Sequence, residues 1–145
     1  SILRNNMLLM KEIWTQEEAS YSGGNLKFEK SWAWPKPTQK PHPPIMMGGA
    51  AGPKTASHVA EFCDGWMPLG GLYDFEGGMV HISDACEKVG RDPQSLAISM
   101  FFAMPPEGDQ VKALPDMGCS RAILPLPAEG ADVVLPILDQ YAAMI

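Results

Sequence analysis

Apolar positions along this chain recur with two rhythms, one close to the period of a helix and one close to that of a strand, and their order sets the expected architecture. Leu3, Met7, Met10 and Trp14 lie four, three and four residues apart, so they share one helical stripe with Arg4, Lys11 and Glu12 outside it. The pattern opens at once, without a cap or a lead-in strand, and Ser1 reads as a cut end. Thr15 to Glu18 end the helical period. Tyr21 to Phe28 alternate around Gly23-Gly24, which predicts a short hairpin.

From Pro35 to Pro44 five of ten residues are proline, and the fixed φ and missing donors force an extended path, either a stiff surface strap or a linker. Ile45-Met46-Met47 then forms an apolar run that stops at Gly48-Gly49, as a buried parallel strand would at a tight bend. Gly52-Pro53 places proline at the first position of a helix with Ala56, Val59, Ala60 and Cys63 on one face. Asp64-Gly65 breaks that helix, and Trp66 to Leu69 reads as the next strand. The Gly-rich stretch from Gly70 to Gly78 leads to a helix striped by Met79, Ile82, Cys86 and Val89, with Gly90 as its C-cap.

Leu96 to Phe102 is expected as a third strand, followed by a short helix from Gln110 to Met117 that Pro115 shortens or bends and Gly118 ends. Ser120 to Pro125 is the fourth strand. A last helix from about Asp132 is expected to bury Val134, Leu138, Ala142 and Ile145, with Pro136 in or just beyond its first turn.

Short apolar strands alternating with amphipathic helices predict an α/β fold with a parallel sheet, because parallel neighbours need a crossover and a helix supplies it. A full barrel has eight such units in about 250 residues, so four units correspond to half of a TIM (β/α)8 barrel, preceded by a helix and a short β-hairpin. The competing open sheet would carry a glycine fingerprint after its first strand, and Gly48-Gly49-Ala50-Ala51-Gly52 lacks that spacing.

Composition narrows the function classes. The 145 residues are 46% hydrophobic and 19% charged, the balance of an ordinary globular chain. A net charge of -6 gives no general attraction to nucleic acid or an anionic membrane surface, and no apolar run reaches the roughly 20 residues of a membrane span. Cys63, Cys86 and Cys119 are too far apart for a zinc or redox motif and read as buried thiols of a cytoplasmic protein. His42, His58 and His81 have no second ligand at metal spacing, so they read as strap or surface residues and no metal site is expected.

The run from Trp34 to Gly49, followed by Asp64-Gly65-Trp66, resembles the luciferase-like monooxygenase family, most nearly its probable deazaflavin (F420)-dependent branch. Lys11 to Thr15, Tyr21 with Gly23, Gly90-Arg91-Asp92-Pro93 and Gly118 fall in the family's order. The resemblance implies the C-terminal part of a single barrel domain spanning 1–145, containing strands 5 to 8. It also implies an FMN or F420 ring over the C-terminal strand ends and a small organic substrate.

It further implies that Gly48 and Gly49 admit the cofactor's phosphate arm without a Cβ in the way, and that Asp64, Gly65, Trp66 and Met67 contribute at the next strand. From the residues alone, a glycine pair after a strand is more often a simple turn. Trp66 is either a pocket wall or core, and Asp64 is either a contact or a cap. No acid, base or nucleophile is assignable; any catalytic histidine of the family lies in the first barrel half. The expected partners are that missing half or a second copy, and the piece alone is expected to be inactive. A non-catalytic flavin-binding or structural barrel is the alternative.

Overall fold

The computed structural model describes residues 1–144, and the chain divides into two compact units, Ser1–Ile45 and Met46–Ile145. In the first unit, helix α1 (Ile2–Thr15) does have a cap, which corrects the sequence expectation: the Ser1 side chain accepts from the Arg4 N–H at 3.3 Å. Strands β1 (Ala19–Gly23) and β2 (Leu26–Ser31) form the expected antiparallel hairpin. Its turn is Gly24-Asn25 rather than Gly23-Gly24, because Gly23 still pairs with Leu26 and the positive φ of 56° falls on Gly24.

Asn5 ties the turn to α1. Its amide donates to the Gly23 carbonyl at 3.0 Å, and its Oδ1 accepts from the Tyr21 hydroxyl at 3.1 Å. The proline segment is irregular, with cis peptides at Trp34-Pro35 and Lys40-Pro41. It is anchored, not loose: Lys36 Nζ donates to the Ile13 and Gln16 carbonyls, each at 2.6 Å, and so satisfies free acceptors at the end of α1.

The second unit is a parallel four-stranded sheet in the order β3 (Met46–Gly48), β4 (Gly65–Met67), β5 (Ala97–Phe101), β6 (Arg121–Ile123). Strand order follows chain order in one direction, so the reversal that defines a doubly wound sheet is absent among the described residues. The connecting helices are α2 (Pro53–Phe62), α3 (Phe75–Val89) and α4 (Gly108–Lys112), and α5 (Ala131–Ala142) follows β6. Pro53 opens α2 and Gly90 ends α3 with φ 69°, both as the sequence predicts.

Side-chain alternation sends Met47, Trp66, Ile98, Met100 and Ala122 toward the helices, where they meet Ala56, Val59, Ala60, Ile82 and Cys86 in one core. Met46, Met67, Phe101 and Ile123 lie on the opposite face, each half-buried. Met46 and Met47 are half-buried, not buried, because β3 is an edge strand with one neighbour.

Three further expectations change. Val89 is 56% exposed because α3 ends there, and Gly78 and Ala85 share the buried face with Ile82 and Cys86 instead. Helix α4 begins earlier and ends well before Pro115. In α5, Pro136 sits in the second turn, Val134 is half-buried, and Leu138 and Ala142 are exposed; Ile145 lies outside the described residues. The anchor of α5 is Tyr141, buried with its hydroxyl donating to the Pro125 carbonyl at 2.8 Å.

Candidate functional site

Parallel strands direct all their C-terminal ends to one rim, where loops converge before entering the helices. On this rim the register places Gly48 beside Met67, and the Gly49 N–H donates to the Met67 carbonyl at 3.3 Å. Gly49 has φ 100°, a region that L side chains rarely adopt, and no atom lies within 4 Å of where its Cβ would stand. At Gly48 the nearest atom to that point is the Met67 carbonyl oxygen at 3.9 Å. Both glycines therefore leave open space at the rim.

Beside them a cavity of about 190 Å³ is lined by Ala50, Ala51, Gly52, Gly78, Asp74 and His81. It lies between the N-terminal ends of α2 and α3. Helix α2 has no side-chain cap, so its first N–H groups keep no side-chain partner, whereas Asp74 accepts from the Gly77 N–H at 2.9 Å at the start of α3.

The remaining expected site residues separate. Asp64 and Gly65 stand at the N-terminal end of β4, where Gly65 pairs with Met46 and Ala97, the first residues of their strands. A Cβ at Gly65 would collide with the Ala97 carbonyl oxygen and come within 2.6 Å of the Met46 methyl, so no ligand space exists beside it. Asp64 and Gly65 therefore stand apart from Gly48 and Gly49 in the sheet. The glycine serves close strand packing, and the pair lies at the opposite end of the sheet.

Trp66 takes the core position of the two readings, fully buried on the helix side. Its ring stacks on Phe75 with centroids 5.6 Å apart, and Gly78 lies so close that a Cβ there would come within 2.6 Å of the indole. Its Nε1–H donates to the Gly49 carbonyl at 2.8 Å. This link from the core to the rim glycine had no signal in the sequence, since an indole and a carbonyl 17 residues apart form no motif.

All three cysteines are buried and free; burial raises the pKa of Cys119, and burial also raises that of Cys86, partly offset by Arg91. His42 is in the strap with its ring 6.1 Å from Trp14, His58 packs on Phe62, and His81 is exposed. Among the described residues no group of three His, Cys, Asp or Glu is placed to hold a metal, and no helix is long and apolar enough to cross a membrane.

A parallel sheet whose strands follow chain order, with glycines where β3 ends at the C-terminal rim, defines an α/β protein of barrel-like strand order. The model of the luciferase-like monooxygenase family matches residues 2–134, and the chain belongs to that family. It is 32% identical over 147 residues to an uncharacterized protein of Mycobacterium tuberculosis, covering 100% of this chain and 50% of the relative. It is 30% identical over 91 residues to the FMNH2-dependent dimethylsulfone monooxygenase of Pseudomonas putida, covering 63% of this chain and 24% of the relative.

Among solved structures, a monooxygenase from Streptomyces bottropensis aligns with a TM-score of 0.53 at 20% identity, covering 92% of this chain and 41% of that one. An F420-dependent secondary alcohol dehydrogenase, in complex with an F420-acetone adduct, aligns at 0.54 and 18%, covering 90% and 41%. These two show the fold. The chain spans about half the length of the mycobacterial relatives it matches, or less in the other comparisons.

Proposed function

We propose that this chain is the C-terminal half of a single (β/α)8 barrel domain, with β3 to β6 as barrel strands 5 to 8, in an oxidoreductase that uses FMN or F420. The carrying observation is Gly49, held at φ 100° with free space around it at the C-terminal rim. A phosphate-tailed ring fits such a loop, because main-chain N–H groups can approach a phosphate only where side chains do not intervene. The uncapped start of α2 supports the same reading.

In this reading Gly48 and Gly49 admit the phosphate arm and Met67 supplies an apolar contact beside them. Asp64 and Gly65 take no part. The bound ring would supply two-electron chemistry, oxygen activation for FMN or hydride transfer for F420. This chain's residues bind, orient and shield it, and the acid or base belongs to the other half. The substrate is a small organic molecule; the half alone is inactive and pairs with its complement or a second copy.

Relatives of both kinds support both cofactors, since one is FMNH2-dependent and a fold neighbour is F420-dependent. Titrating FMN and F420 separately into the full-length protein, with ring fluorescence as the signal, tests the reading. Saturable quenching by one of them, lost in Gly49→Val, is expected. Quenching by neither would leave a structural barrel, and quenching that Gly49→Val does not alter would move the site elsewhere.

A further inference from the structure

Among the side chains of the second unit, Trp66 is bound to the candidate site without facing it. The indole is closed off from solvent, lies on the helix side of the sheet and cannot touch a ligand over the rim. It nonetheless spends its one donor on the carbonyl of Gly49, the residue with the most demanding backbone conformation in the loop.

We infer that Trp66 is a positioning residue, which holds the Gly49 carbonyl toward the core so that the opposed N–H of the same peptide, that of Ala50, faces the ligand's phosphate. A peptide flip at a flexible glycine costs little, so Gly48-Gly49 alone would sample several orientations. An anchored carbonyl excludes most of them. The anchor is itself fixed on two sides: Phe75 stacks on one face of the indole at an interplanar angle of 18°, and Gly78 lets the backbone of α3 close against the ring. The indole thereby couples α3 to the loop after β3. The glycine at 78 and the aromatic at 75 acquire a common purpose.

The ligand part of this inference rests on the proposed cofactor reading; the loop part does not. The test is Trp66→Phe in the full-length protein, which keeps an aromatic ring for Phe75 and removes the donor. Should that variant not fold, replacement by benzothienylalanine keeps the bicyclic shape and substitutes sulfur for the N–H. Exchange of the Gly49 amide, held by the Met67 carbonyl at 3.3 Å, should speed up by about tenfold, the scale of one lost hydrogen bond, with β5 unchanged.

Affinity for the phosphate-bearing form, FMN or F420, should fall by a similar factor of about ten, while the phosphate-free riboflavin or deazariboflavin binds as before. Unchanged exchange at Gly49 would overturn the inference even if FMN or F420 binds well. Equal weakening of the phosphate-bearing and phosphate-free forms would also overturn it, because a general packing defect does not distinguish them. If the wild-type protein binds neither cofactor, the cofactor reading fails, and the exchange experiment alone decides whether Trp66 sets the loop.

Discussion

At the scale of single residues, the glycines divide into those that need open space and those that need closeness. Gly49 belongs to the first kind, Gly65 and Gly78 to the second. In Gly78→Ala the new methyl would stand 2.6 Å from the buried Trp66 ring, and neither can retreat. Urea denaturation should show a loss of about 1–3 kcal/mol, the usual range for overpacking. Gly65→Ala should cost at least as much, because its methyl would meet a backbone oxygen.

The buried cysteines set another residue-scale expectation. Burial raises Cys119 above the ordinary 9.0, so its unfolded form releases a proton first as pH increases. Its contribution to stability is therefore complete below that value and is lost as pH climbs through the folded pKa. At neutral pH all three thiols should react with a thiol reagent only in denaturant. Fast labelling of the native protein would contradict their placement.

At the scale of elements, Arg91 joins what the sequence separates. Its Nη1 donates to the carbonyls of Val59, Ala60 and Cys63 at 3.3, 3.2 and 2.7 Å, and its Nε donates to the Ser95 hydroxyl at 3.0 Å. One side chain thus closes the end of α2 and pins the turn after α3. Arg91→Ala should destabilise by about 2 kcal/mol in thermal or chemical unfolding, as loss of hydrogen bonds from a charged group does. Lysine should restore little, having no planar fork.

The order of the elements was readable in the residues. The hairpin, the proline opening α2, the Gly90 cap and four strands each followed by a helix come from local rules, and all are present. What could not be read depends on partners distant in sequence. Helical period alone does not tell whether Leu138 has a surface to cover it, and here it is 41% exposed. The position of Gly48 and Gly49 at the C-terminal end of β3 was legible in the same sense. The end of β4 that Asp64 and Gly65 occupy is fixed by its register with β3 and β5, which pattern does not encode.

At the scale of the whole molecule, the described sheet has two edge strands, β3 and β6, and its second face carries half-buried Met46, Met67, Phe101 and Ile123. Helix α5 adds Val133, Leu135 and Leu138, each exposed. Edges and apolar surface of this kind drive association. Under the half-barrel proposal the isolated chain should elute from size-exclusion chromatography as a dimer or larger species. A compact monomer that unfolds cooperatively would count against it.

The most direct test of the central claim is an amide nuclear magnetic resonance titration of the full-length protein with FMN and with F420. Shifts confined to residues 48–52 and the region just after Met67 are the predicted result. Shifts centred on Asp64 and Gly65, at the other end of the sheet, would contradict the account.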